Sequence, residues 1–102
     1  MTLRVRSAGP ASEELEAAIR WYETQRRGLG ADFYAAVVDC LELIKAHPEA
    51  GTAAFPDPKD RRMLVARFPY QIVYRRRSDE VLIIAFAHLK RRPGFWKHRG
   101  RP

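Results

Sequence analysis

The chain has 102 residues, 46% hydrophobic and 30% charged, with a formal net charge of +7, which bounds it to one domain around one modest core. The longest apolar run, residues 81–87, is strand-sized and excludes a helix that crosses a membrane. The single cysteine, Cys40, excludes an internal disulfide, and Met1-Thr2-Leu3-Arg4 opens on no apolar signal core, so the cytoplasm is the expected compartment.

The first element in chain order is Thr2-Leu3-Arg4-Val5-Arg6, which alternates apolar and basic residues as a half-buried strand does. Ser7-Ala8-Gly9-Pro10 breaks it, and Pro10 suits a first helical turn. Leu15, Ala18, Ile19 and Tyr22 then recur at the spacing of one helical stripe. Acidic Glu13, Glu14 and Glu16 come early in that helix and Arg26 and Arg27 late, as its dipole prefers, and Glu16–Arg20 and Glu23–Arg27 are spaced to pair. Gly28-Leu29-Gly30 turns the chain into a second stripe, Phe33, Val37, Cys40, Leu41 and Ile44, which ends at His47-Pro48. A tight glycine turn predicts that the two helices pair antiparallel and cover a sheet.

Residues 49–60, rich in proline and glycine, read as an irregular connection. Three strand patterns follow. Residues 62–68 place Leu64, Ala66 and Phe68 on one side, and residues 71–76 oppose Ile72 and Tyr74 to Val73 and Arg75. Residues 81–87 are apolar throughout, as a central strand covered on both faces would be. The expected fold is therefore α+β in the order β-α-α-β-β-β, a helical hairpin on a mostly antiparallel sheet. All of residues 1–102 read as a single domain, with a basic tail from about residue 89.

Charge is unevenly placed along this order. Residues 1–50 carry six Lys/Arg against eight Asp/Glu, whereas residues 51–102 carry thirteen against four. A second half this basic fits an anionic partner, nucleic acid or acidic polypeptide, or else a solvated face that keeps the protein in solution. No metal-ligand spacing, phosphate-binding glycine loop or Ser-His-Asp arrangement is present, so neither metal nor cofactor is expected.

The helix carrying Trp21-Tyr22-Glu23, the Gly28-Leu29-Gly30 turn and the His47-Pro48 stop together resemble the ParE/RelE toxin superfamily. So do Arg67-Phe68-Pro69-Tyr70-Gln71-Ile72-Val73-Tyr74 and a strand ending in His88 before Arg91-Arg92-Pro93. The resemblance implies the same architecture and a cognate antitoxin as partner. It also implies one of two targets: DNA gyrase, bound without hydrolysis, or ribosomal mRNA, cut as RelE-like members do. RNA cleavage by its own 2′-OH needs a base, an acid and cations on the phosphate; Arg62, Tyr74, His88 and Arg91 would supply them. Binding of target or antitoxin would fall to Arg67, Arg75, Arg92, Trp96, Lys97 and Arg99.

Each candidate has a structural alternative. His88 can cap the end of a buried strand, Tyr74 can be a core aromatic with its hydroxyl at the edge, and Arg62 and Arg67 can be edge charges that discourage sheet-to-sheet pairing. Trp21 and Tyr22 read as helix-packing aromatics and Cys40 as core, while Phe95 and Trp96 can pin the tail to the body. The pattern also departs from the RNA-cutting branch: Leu89 follows His88, no tyrosine lies beyond Tyr74, and no well-placed glutamate precedes the Arg61-Arg62 strand, where the nearby acids are Asp57 and Asp60. Gyrase binding is accordingly the favoured expectation, ahead of mRNA cleavage and of an inactive member that represses transcription with its antitoxin. The antitoxin is expected along the helical hairpin or an open sheet edge, in a toxin–antitoxin hetero-oligomer and away from membranes.

Overall fold

A computed structural model describes residues 3–99. Strand β1 (Arg4–Ser7) leads into helices α1 (Gly9–Gln25) and α2 (Leu29–Ala46), followed by β2 (Thr52–Ala53), β3 (Arg61–Leu64), β4 (Tyr70–Arg77) and β5 (Glu80–His88). The sheet order is β1-β5-β4-β3-β2. Only β1 runs parallel to its neighbour, β5; the other pairings are antiparallel. The α+β order and mostly antiparallel sheet expected above are present, with one addition: Thr52-Ala53 in the proline-rich connection pairs with Arg61-Arg62 as an edge strand. Two residues of ladder leave too short a pattern to stand out in the sequence. Thr2, the first residue of the expected strand, lies outside the described residues.

Both helices lie on one face of the sheet, and α1 contacts α2 and β5. The core between them gathers Tyr22, Phe33, Val37, Cys40 and Ile44 from the helices with Ile72, Tyr74, Val81, Ile83 and Phe86 from the strands. Tyr22 and Phe33 meet Phe68 and Tyr70 at ring separations of 5.0 to 6.1 Å, edge-on contacts that add to the burial of the rings themselves.

The tight turn between the helices explains two motif elements at once. Gly28 has φ +89° and opens α2 in the left-handed region, which glycine occupies without steric cost. The Glu23 carboxylate accepts the backbone N–H groups of Gly28 and Gly30 at 3.0 to 3.1 Å. It thereby satisfies donors that a helix start leaves open and places negative charge where the dipole favours it. The expected Glu23–Arg27 and Glu16–Arg20 pairs do not form among the described residues; two N–H groups of the turn outbid a solvated arginine for Glu23.

A bulge at Val73/Tyr74 shifts the β4–β5 register. Because two residues of β5 then oppose one step of β4, Ile84 and Ala85 both leave the helix side and join a second cluster with Val73, Leu82, Ala87 and Trp96. This cluster covers the far face of the central strand, as the unbroken apolar run predicted. The cover comes from the segment after β5, which folds back so that Trp96 is only 2% exposed.

In β3 the expected faces are reversed: Met63 and Val65 pack toward the helices, whereas Leu64 is 60% exposed and Ala66 lies in the turn. Phe68 does reach the core, but only after Arg67 turns the chain at φ +70°. A strand read one residue out of phase exchanges both faces. Residues 65–69 are that turn, not strand.

Candidate functional site

Two concavities bring the chemistry-bearing side chains together, one on each face of the sheet. The first is a groove of about 370 Å³ between α1 and the ends of β4 and β5, lined by Glu14, Trp21, Tyr70, Phe86, His88 and Arg91 among others. β1 accompanies β5 only as far as Ile83, so the β5 edge beyond is open. There the Glu14 carboxylate accepts the Phe86 N–H at 3.2 Å, Arg91 Nη1 at 3.2 Å and Arg99 Nη1 at 2.9 Å. One partly buried carboxylate thus joins α1, β5 and two points of the basic tail. Charge-assisted bonds of this kind are the stronger class.

His88 stands beside Tyr70, ring edge to ring face at 5.1 Å. Its Nδ1 accepts the Lys90 N–H at 3.0 Å, which in the neutral ring leaves the proton on Nε2. The histidine therefore shapes the turn that follows β5. Burial raises the Tyr70 hydroxyl above the ordinary range, and the nearby Glu14 charge adds to that effect.

The second concavity, about 280 Å³, lies on the face away from the helices and includes Arg62, Gln71, Arg91 and Trp96 in its wall. Ile72 and Tyr74 face the helices, so alternation along β4 turns Gln71, Val73 and Arg75 the other way. Arg62 Nη1 donates to Gln71 Oε1 at 3.1 Å. The Trp96 indole N–H is buried without an acceptor among the described residues.

Several predicted binding residues are instead internal ties. Arg75 donates to Asp60 at 2.7 Å and to Asp57 at 2.8 Å, clamping the 49–60 connection to β4. Burial is the main influence on Asp60 and raises its carboxyl despite Arg75. Asp57 is lowered, first by the Lys59 backbone N–H and then by Arg75. Arg99 is held by Glu14 and by the Ile84 carbonyl, and Trp96 is part of the second core. Arg75, Trp96 and Arg99, expected at a partner contact, thus serve as internal supports. Arg67, Arg92 and Lys97 are exposed, and their side chains have no hydrogen-bond or ion-pair partner among the described residues.

The four residues assigned to RNA cleavage do not converge. Tyr74 is fully buried; its hydroxyl donates to the Pro48 carbonyl at 2.7 Å and accepts the Gly51 N–H at 3.1 Å. Neither its ring nor its hydroxyl is exposed at the surface. His88 belongs to the helix-side groove and Arg62 to the cavity on the opposite face; only Arg91 borders both. Glu14 was legible only as an early helical acid, although its spacing from Ala11 and Ala18 places it on the buried stripe. Gln71 was legible only as part of the Arg67–Tyr74 motif, and Phe55, which also lines the second concavity, carried no signal in the sequence. Among the described residues no group of three His, Cys, Asp or Glu is gathered that would hold a metal ion, and no helix is long and apolar enough to cross a membrane.

The family described as "ParE toxin of type II toxin-antitoxin system, parDE" matches residues 5–93. The chain belongs to that family. In three dimensions this ParE-family chain is similar to a chain of the "Chromosomal ParDE TA system from P. aeruginosa", with a TM-score of 0.74 and 14% identity over 86% of this chain and 97% of that one. At such low identity the likeness concerns the fold. No curated protein matches the chain in sequence. The ParE match stops short of Phe95, Trp96 and Lys97, so the segment that closes the far face of the sheet lies beyond the shared pattern.

Proposed function

We propose that this ParE-family toxin acts in the cytoplasm by binding DNA gyrase, without a hydrolytic site of its own, and that a cognate antitoxin holds it inactive. The observation that carries this reading is the dispersal of the residues cleavage would need. A general acid or base must lie within hydrogen-bond reach of the proton it moves, directly or through one water. His88 and Arg62 are on opposite faces of the sheet, Tyr74 is sealed inside, and Arg91 is already paired with Glu14. Exposed Trp21, Tyr34 and Leu43 on the helical hairpin offer apolar anchors of the kind an antitoxin helix uses.

Purified protein should inhibit gyrase supercoiling and leave mRNA 5′ ends unchanged in a translation extract. The antitoxin encoded alongside should reverse the inhibition and form an isolable complex. Normal supercoiling at excess protein refutes the target, and new mRNA ends at the onset of growth arrest establish cleavage in its place. A His88→Ala, Arg91→Ala double variant should remain toxic, because neither group serves a reaction.

A further inference from the structure

The cavity around Arg62 does not stand alone. Next to it lies a cleft of about 490 Å³ whose walls include Phe55, Pro56, Arg92, Phe95 and Lys97, and the two concavities share Phe55 and Pro93. No aspartate or glutamate lines either one. Of the four cations present, only Arg91 is neutralised, by Glu14 at 3.2 Å. In the cavity, Gln71 Oε1 is taken by Arg62, so what remains there is donors: the rest of the Arg62 guanidinium and the Gln71 amide N–H₂. Such a pocket favours one negatively charged oxygen group.

Phe55, which lines both concavities, is a large aromatic residue left 75% exposed. The connection that carries it is nevertheless held firmly. Ala54 N–H donates to the Asp60 carbonyl at 2.9 Å, and Arg75 ties down Asp57 and Asp60. A fixed aromatic knob loses little freedom when a partner covers it, and rigid aromatic anchors ringed by polar groups are where binding energy concentrates.

We infer that this face docks an acidic segment of a protein partner. A carboxylate enters the cavity beside Arg62 and Gln71, apolar side chains lie against Phe55 and Pro93, and Arg92 and Lys97 meet further acids at the rim. A protein fits better than a nucleic acid because the walls that hold the cations also hold Leu89, Pro56 and Pro93, apolar surface that aliphatic side chains cover and a phosphate backbone does not. The inference rests on the reading above, that the chain works by binding proteins, and adds where and with what chemistry.

The test is an NMR titration of the full chain with a blocked Glu-Leu-Glu-Leu-Glu peptide and, separately, with oligouridylate of equal charge. Trp96 in the cavity wall and Trp21 in the opposite groove provide two resolvable indole N–H signals. The peptide should shift the Trp96 signal saturably and leave Trp21 in place. Arg62→Gln should abolish the shift, and Phe55→Ala should weaken binding about tenfold, the loss of roughly 1.4 kcal/mol of contact. Since Phe55 is exposed, Phe55→Ala should keep the wild-type melting temperature, which separates lost contact from lost folding. A peptide that leaves Trp96 unmoved overturns the inference, as does an oligouridylate that shifts it equally. Neither gyrase nor antitoxin enters this titration, so its failure and a failed supercoiling assay are separate results.

Discussion

Replacing Tyr74 by phenylalanine separates a structural tyrosine from a reactive one. The hydroxyl bridges the Pro48 carbonyl at 2.7 Å and the Gly51 N–H at 3.1 Å, and all of it is buried. Phenylalanine preserves the ring and strands both backbone groups without water. Each such bond contributes about 0.5–1.5 kcal/mol, and a stranded buried partner costs about 1–3 kcal/mol, so the expected loss is about 2–3 kcal/mol. For a domain of this size that lowers the melting temperature by roughly 10–20 °C. The alkaline limb supplies a second signature. Burial raises the Tyr74 hydroxyl above its ordinary value of 10.0, with the Gly51 N–H opposing. The native state therefore keeps this proton where the unfolded chain releases it. The associated stability is present below about pH 10 and is lost as pH rises through the raised value, at up to about 1.4 kcal/mol per pH unit for one proton. Tyr74→Phe should flatten that fall while inhibiting supercoiling normally at temperatures well below its melting point. Circular dichroism melts from neutral to alkaline pH, run beside supercoiling assays, give the answer. An unchanged melting temperature with abolished inhibition would refute the reasoning.

Other outcomes follow from the same contacts. Glu14→Gln keeps one acceptor and loses the charge that holds Arg91 and Arg99; tryptic cleavage at residues 90–97 should quicken, whereas equal rates would mean that the tail is held by Trp96 alone. Arg75→Met leaves the buried Asp60 carboxylate without its partner at 2.7 Å and should cost about 3 kcal/mol in urea unfolding, with Asp60→Asn as a second change recovering part of it. Burial pushes the Cys40 thiol up to about 11, so a thiol reagent at pH 8 should label it only at the rate of opening; immediate stoichiometric labelling would contradict its place in the core.

How far the sequence could be read depended on the length of each pattern. The two helices and the central strand were legible because each repeats over many residues: Leu15, Ala18 and Tyr22; Phe33, Val37, Cys40 and Ile44; the apolar run from Val81 to Ala87. β2 was not, because two paired residues carry no period. β3 was placed but turned over, since four residues of alternation define a strand and leave its phase to the neighbours. Glu23 was read as the partner of Arg27, a reasonable expectation along one helix. The turn that follows offers two N–H groups instead, and these appear only once α2 has folded back.

The candidate site was less legible for a reason that also bears on what the chain does. Arginines read as free cations in a sequence, yet Arg75, Arg91 and Arg99 each find a carboxylate 15 to 85 positions away. Each of those pairings spends a positive charge on holding the connection or the tail in place. Arg67, Arg92 and Lys97, together with the partly engaged Arg62, are then the charges left for a partner among the predicted binding and catalytic residues. Arg62, Arg92 and Lys97 border the two concavities that share Phe55. A nuclease would need its acid, base and cations around one phosphate. This chain places His88 and Arg62 on two faces and sets an exposed aromatic ring beside Arg62, Arg92 and Lys97, which is the surface on which the proposed protein-binding role rests.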